Sequence, residues 1–336
     1  MKESSAPFAQ KPAWSGWLLQ IALVAAVVGG VVWLVLHALD VLHARGVRSG
    51  FGFLLDAAGF EISEGWPHFD AGQPYWRAFG TGLANTIRAA VPAAVLAVGL
   101  GTLLGIGRLA PHTLVRGLCT LYVETVRNVP LLVQVLMAYF ALTQLLPEPE
   151  SPIELLPGVW IGKYGLAMPW PVAAPGHFWP SGLEWPERTV FGMLGGAALS
   201  PEYLAITLAL GLYTASYVAE IVRAGINSVG RGQRLAAQAL GLAPAQELRI
   251  VVLPQALRVI VPALTNQLLS LTKNSSLAVA VGYPELVSVA NTSLNSTGRA
   301  FECIAVVMAV YLLLSLLISA GMHRYNARVA LRGWPS

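Results

Sequence analysis

Between Glu302 and Arg324 the chain reads Cys303-Ile304-Ala305-Val306-Val307-Met308-Ala309-Val310-Tyr311-Leu312-Leu313-Leu314-Ser315-Leu316-Leu317-Ile318-Ser319-Ala320-Gly321-Met322-His323, 21 residues without Asp, Glu, Lys or Arg. A helix rises about 1.5 Å per residue, so this run covers about 30 Å, the thickness of bilayer hydrocarbon. Three more runs of that kind lie upstream: 28 residues between Lys11 and Asp40, 19 between Arg88 and Arg108, and 20 between Arg127 and Glu148. Two shorter ones, 17 residues between Glu202 and Glu220 and 14 between Arg258 and Lys273, reach spanning length if their end charges sit at the interface. Ser200-Pro201-Glu202 supplies an N-cap, a proline at the first helical position and an acid in the first turn. Pro254 similarly opens a helix running to about Lys273. The expectation is an all-α integral membrane protein with six transmembrane helices.

Composition agrees with that reading. Of 336 residues 55% are hydrophobic and 11% charged, against about 25% charged in ordinary soluble domains. The mean hydropathy is +0.62. This excludes intrinsic disorder, which needs low hydrophobicity and high net charge, and argues against a nucleic-acid binder. The first apolar run, Trp17 to Leu39, exceeds a signal-peptide core and lacks a small-x-small cleavage site before Asp40, so it reads as a retained anchor.

Orientation follows from Lys and Arg, which are retained on the inner side. With the N-terminus inside, twelve of the 21 basic residues fall in inner segments and seven in outer ones (Arg45, Arg48, Arg77, Lys163, Arg188, Lys273 and Arg299). Of the 17 acids, thirteen fall outside and only Glu3 and Glu247 clearly inside. Both termini are then inside, and the basic pI near 9.2 reflects orientation. The chain divides into 1–39 (inner N-terminus and first span), 40–84 (outer loop), 85–143 (spans two and three), 144–199 (outer loop rich in Pro and Trp), 200–222 (span four), 223–254 (inner loop), 255–323 (spans five and six with a re-entrant outer segment) and 324–336 (inner tail).

Within the first outer loop, Gly50-Phe51-Gly52-Phe53-Leu54-Leu55 reads as an interfacial helix. In the second, Trp160, Trp170, Trp179 and Trp185 read as an interfacial aromatic belt. Cys119 and Cys303 belong to opposite membrane faces and give no disulfide. Catalytic patterns are absent: Gly162-Lys163 is followed by Tyr164 and makes no phosphate loop, there is no H-E-x-x-H, and the six histidines form no cluster with the cysteines.

The stretch that stands out is the inner loop, Gly225-Ile226-Asn227-Ser228-Val229-Gly230-Arg231-Gly232-Gln233-Arg234-Leu235-Ala236-Ala237-Gln238-Ala239-Leu240-Gly241-Leu242, followed by Arg249-Ile250-Val251-Val252-Leu253-Pro254. Ala236, Ala237, Ala239 and Leu240 belong to a short small-residue helix that Gly241 ends, and a second short helix runs up to Pro254. Small side chains let another surface approach closely. On the residues alone, a plain helix-turn-helix connection and a docking element fit equally.

Gly241 with Ile250-x-x-Leu253-Pro254, behind an x-Ala-Ala helix, resembles the EAA loop of ATP-binding-cassette importer permeases. Tyr213-Thr214-Ala215-x-Tyr217-x-Ala219-Glu220-Ile221-Val222-Arg223-Ala224-Gly225, Tyr122-Val123-Glu124-x-x-Arg127-Asn128-x-Pro130-Leu131-Leu132-x-Gln134 and Leu271-Thr272-Lys273-Asn274-Ser275-Ser276-Leu277 are similar to the polar and general L-amino-acid subfamily. The likeness covers residues 45 to 145 and 200 to 332. It implies a type I importer permease of the bacterial inner membrane: a five-helix core behind an N-terminal anchor, paired with a second permease and carrying coupling helices. Two ATPase subunits would dock from the cytoplasm and a periplasmic binding protein would deliver an L-amino acid. This chain would hold no cofactor and catalyse nothing, with ATP and Mg on the partner ATPase.

By the same resemblance Gln233, Leu235, Ala236, Ala237, Gly241, Arg249 and Pro254 belong to the ATPase-coupling surface. Leu235 stands where the family usually has the glutamate that names the loop, which implies an asymmetric heterodimer whose partner retains it. The expected substrate pathway comprises Glu124, Arg127, Asn266, Gln267, Lys273, Asn274, Ser275 and Ser276. Polar groups at membrane depth usually face a cavity or bundle interior, and a cation with amide donors suits an amino acid's carboxylate. Interhelical hydrogen bonding accounts for Asn266 and Gln267 equally well, and Glu124 and Arg127, like Glu220 and Arg223, have the i,i+3 spacing of a simple pair. A secondary carrier or channel acting alone would instead carry its own ion coupling, usually on inverted repeats; no repeat relates the two halves of this chain.

Overall fold

The computed structural model describes residues 13–44, 50–65, 68–172, 182–189 and 192–330. Trp179 and the charges Lys2, Glu3, Lys11, Arg45, Arg48 and Arg332 lie outside the described residues. The helices are α1 (Ala13–Ala44), α2 (Tyr75–Gly107), α3 (Thr113–Asn128), α4 (Leu131–Gln144), α5 (Pro201–Asn227), α6 (Arg231–Ala239), α7 (Pro244–Gln246), α8 (Leu253–Asn274), α9 (Leu286–Thr297) and α10 (Ala300–Ala330). Among the described residues, five stretches of helix are long and apolar enough to cross a bilayer, six if the bent pair α3–α4 is one span. The fold is mostly helical, with several membrane spans, as the apolar runs require.

The centre is the seam between α2 and α5. Along α2 every fourth residue from Ala89 is small, namely Ala89, Ala93, Ala97, Gly101 and Gly105, and all five are buried. Four-residue spacing keeps them on nearly one face. At Gly101 a Cβ would lie 2.7 Å from the Ala215 carbonyl oxygen and 2.6 Å from Val218 Cβ; at Gly105 it would lie 2.7 Å from the Ala219 carbonyl oxygen. The helix backbones meet there. Small residues at such contacts hold membrane helices together, since lipid gives apolar side chains no reason to prefer each other.

Charge brackets this seam at both ends. At one end Arg88 Nη1 lies 2.8 Å from Glu64 Oε1; at the other Arg108 Nη1 lies 2.6 Å from Glu220 Oε2, and Arg223 Nη2 lies 2.5 Å from Glu220 Oε1. Arg88 and Arg108 are 20 helical positions apart, about 30 Å, which matches a hydrocarbon layer. Pro92 lacks an N–H and leaves the Arg88 carbonyl without its helical donor; the Tyr203 hydroxyl donates to that oxygen at 3.3 Å.

The third span departs from the straight helix that charge spacing suggests. α3 and α4 meet at 103°. Pro130 cannot continue a helical ladder and holds Val129 extended, at φ −95° and ψ 128°. Gln134 repairs the break: its Nε2 donates to the Val126 oxygen at 2.8 Å and the Val129 oxygen at 2.9 Å. Gln134→Leu would strand both carbonyls, so we expect stability to fall by about 1–3 kcal/mol, read as a lower thermal midpoint of the detergent-solubilised protein.

Both connecting regions at the Glu64 end carry regular elements among the described residues. Phe51–Leu55 forms one 3₁₀ element rather than an interfacial helix: Phe53 is buried with Ala58, Ile62 and Phe69 against α2, α9 and Cys303. Arg299 Nη1 donates to the Gly50 oxygen, Glu302 Oε1 accepts from the Gly50 amide at 2.6 Å, and the Arg299 guanidinium lies over the Phe53 ring. After α4 the chain forms an antiparallel sheet of β1 (Ile153–Leu156), β2 (Val159–Gly162), β3 (Gly165–Met168) and β8 (Ala197–Leu199), with β4 (Trp170–Val172) paired to β5 (Gly182–Glu184) and β6 (Glu187–Thr189) to β7 (Gly192–Leu194). Trp170 and Trp185 are exposed, whereas Trp160 is half-buried on β2. Ser200 then caps α5, its Oγ accepting from the Tyr203 amide at 3.0 Å. Both cysteines are free.

Candidate coupling loop and pathway face

At the Glu220 end, α5 passes through Ser228 into α6. Val218, Val222, Ile226 and Val229 pack against Val252, Ala256 and Ile260, so the loop stands on one apolar cluster shared by the end of α5 and the start of α8. Arg234 Nη2 donates to the Ile226 oxygen at 2.8 Å, and Gln238 Nε2 donates to Glu247 Oε2 at 3.1 Å. A single π-helical turn, Glu247–Val252, leads into α8.

Gly241 closes α6 with a reciprocal pair of bonds: the Leu242 amide donates to the Ala237 oxygen at 3.2 Å and the Gly241 amide to the Gln238 oxygen at 2.9 Å. That is a Schellman end, and it requires the left-handed backbone seen at Gly241, φ 76°. Ala237 is 3% exposed, and α6 packs against the Glu247–Val252 turn. Successive helical residues turn by about 100°, so Leu235 points the other way, and it is 52% exposed. Leu240, Leu248 and Ile250 are exposed beside it in sequence, as are Gln233, Ala236, Arg249 and Pro254. Of the coupling residues expected from sequence, six are surface groups and Ala237 is the one that anchors them.

The pathway residues separate into two sets. On α8 the exposed positions Pro262, Asn266, Ser270 and Lys273 recur every three or four residues and form one stripe. Among the described residues, the side chains of Asn266, Gln267 and Lys273 make no hydrogen bond or ion pair, and Gln267 is half-buried. Ser275 and Ser276 donate to their own helix, to the Thr272 oxygen at 2.7 Å and the Lys273 oxygen at 2.8 Å, and Ser275 is fully buried; both serve the helix end. Asn274 is half-buried at the same end. Lys273, placed by charge counting in an outer segment, borders a cavity of about 520 Å³ with Ser276, Val287, Val307, Met308 and Tyr311. Leu271 packs in the α2–α5 cluster, so the end of α8 reaches the seam.

On α3, Glu124 and Arg127 do not pair. Arg127 lies over the Tyr217 ring, 4.9 Å from its centroid, and Tyr217 shares a 2.9 Å hydroxyl contact with Tyr213. Glu124 is exposed without a hydrogen bond or ion pair among the described residues. Glu220 and Arg223 do pair, with Arg108 as a third member that sequence spacing could not name. No group of His, Cys, Asp and Glu among the described residues is placed to hold a metal.

Fold and site together define a multi-pass helical membrane protein with a short helical loop between α5 and α8. Residues 97–330 match the family described as the binding-protein-dependent transport system inner membrane component, and the chain belongs to that family. It is 39% identical over 374 residues to the putative amino-acid ABC transporter permease protein YhdX of Escherichia coli, covering 95% of each chain. It is 38% identical over 374 residues to the general L-amino acid transport system permease protein AapQ of Rhizobium johnstonii, covering 95% of this chain and 93% of that protein. A solved chain from an amino acid ABC transporter crystallised with histidines superposes with TM-score 0.56 at 26% identity, covering 76% of this chain and 95% of that one.

Proposed function

We propose that the chain is one permease subunit of an ATP-driven, binding-protein-dependent importer of L-amino acids. The observation that carries this reading is the polar stripe of α8. Asn266, Ser270 and Lys273 sit exposed on a helix that crosses the membrane, and side chains of this kind are costly against lipid. A second permease facing that stripe would turn it into the wall of a shared polar route. With Leu235 in place of the usual glutamate, the partner is a different chain that retains it.

The α6 loop lies in the cytoplasm with both termini, and the sheet lies on the periplasmic side of the bacterial inner membrane. Two ATPase subunits dock on the α6 loops of the two permeases and hold the ATP and Mg; this chain contributes no catalytic group. Because the two ends of the loop, Val229 and Val252, are held with α5 and α8 in one apolar cluster, and α6 packs on the turn that ends at Val252, displacement of α6 is passed to those helices. Packed cores resist gradual deformation, so the pathway opens alternately to either side.

Uptake of labelled L-amino acids into vesicles tests this. Transport that requires the ATPase, ATP, the second permease and the binding protein supports it. Accumulation by this chain alone on an ion gradient would establish a secondary carrier instead.

A further inference from the structure

The ion pair at the sheet end of the seam is unsaturated on both sides. Arg88 Nη1 stands 2.8 Å from Glu64 Oε1, yet the pair is not aligned as a hydrogen bond, and Oε1 is buried without a donor. The Arg88 guanidinium lies over the Tyr203 ring at 4.7 Å and donates no hydrogen bond among the described residues. Glu64 Oε2 accepts from Ser200 Oγ at 2.5 Å. Asn85, fully buried, spends its Nδ2 on the backbone carbonyl oxygens of Glu64 at 2.8 Å and Pro284 at 2.9 Å, and its Oδ1 has no donor.

A guanidinium with open donors beside a carboxylate and an amide oxygen with open acceptors is complementary to one kind of small molecule. We propose that Arg88, Glu64 and Asn85 form a receiving site for a free, zwitterionic α-amino acid, its carboxylate on Arg88 and its ammonium on Glu64 and Asn85. A planar guanidinium matches a carboxylate bidentately, and an ammonium supplies three donors. The N-terminus of α5, capped by the same Ser200 that touches Glu64, adds a favourable field for the carboxylate. Binding would replace one misaligned ion pair by two aligned ones.

Recognition would then rest on the groups all amino acids share, leaving the side chain unread. The segment that carries Glu64 would loosen from α2 as the ligand enters, because the ligand takes over its tie to Arg88. The site lies at the boundary of the uncharged layer, at the end of the seam that the proposed function places outside the cytoplasm. The inference rests on that function for its substrate class, and the Arg88 geometry supplies the location.

Saturation-transfer NMR on the reconstituted permease–ATPase assembly, binding protein omitted, tests it with a panel of free L-amino acids and the N-acetyl and amide derivative of each. Free amino acids are expected to bind, and each derivative, lacking one charge, to bind about tenfold or more weakly, the scale of one charged hydrogen bond. Arg88→Gln is expected to abolish binding of the free acids and the N-acetyl forms alike. Glu64→Gln should weaken the free acids while leaving the N-acetyl forms unchanged. Equal binding of free and blocked forms, or Arg88→Gln that lowers the melting temperature with binding intact, would make the pair a structural tie only. ATPase stimulation by loaded binding protein without any direct binding here would overturn this site and leave the importer reading standing.

Discussion

Gly101→Leu or Gly105→Leu is expected to remove nearly all folded protein from the membrane. A Cβ at either position lands 2.7 Å from a backbone carbonyl oxygen of α5. A carbonyl in a helix cannot swing aside as a side chain can, so α2 and α5 must separate along their length. Inserting extra carbon into a packed interior costs about 1–3 kcal/mol even where side chains can shift; a backbone obstacle raises that toward the whole stability of about 5–15 kcal/mol. The control lies on the same helix. Gly99 has nothing within 4 Å of its Cβ position, and Gly99→Leu should accumulate as wild type. Size-exclusion profiles of a fluorescent fusion, with melting curves, read both outcomes. If Gly101→Leu folds like Gly99→Leu, the seam is not the centre of this structure.

Ala237→Arg should disconnect the loop while leaving the membrane part folded. Ala237 is 3% exposed on an α6 that packs against the Glu247–Val252 turn. A guanidinium there is buried without a partner, which costs several kcal/mol, and separation of α6 from the Glu247–Val252 turn relieves that cost, breaking the link from α6 to the membrane helices. ATP hydrolysis stimulated by binding protein should fall more than tenfold, with the permease still present and monodisperse. Leu235→Glu, on the opposite and exposed face, should leave folding untouched and act on coupling alone. In an asymmetric pair it should not raise ATP hydrolysis unless the second permease is present; a rise without that partner would remove the asymmetry.

How far the sequence carries depends on how near the interacting residues lie. Five of the six expected spans, the Ser200 cap, the Gly241 end of α6 and the start of α8 near Pro254 are local signals, and each appears in the structure where spacing and capping chemistry put it. The break at Val129-Pro130 was legible too, but counting charges alone reads through it; proline chemistry decides it. The stripe from Ala89 to Gly105 is also written in the sequence, as a four-residue repeat of small side chains, and a search for catalytic patterns passes over it. The strands between residues 153 and 199 were not legible, because they are three or four residues long and several contain Gly or Pro.

Long-range partners are the least readable. Glu64 and Ser200 are 136 residues apart, and Arg108 and Glu220 are 112 apart, so no local pattern links them. Spacing suggested a Glu124–Arg127 pair as strongly as a Glu220–Arg223 pair. The structure forms the second and lays the Arg127 guanidinium over the Tyr217 ring of α5.

The central claim is that this chain turns ATP hydrolysis on another subunit into amino-acid import. The most direct measurement is ATP hydrolysis by the lipid-reconstituted assembly of this chain, its partner permease and the ATPase, with and without binding protein and a panel of L-amino acids. The account predicts stimulation only when binding protein and an L-amino acid are both present, lost with Ala237→Arg. Hydrolysis indifferent to both, together with gradient-driven uptake by this chain alone, would contradict it.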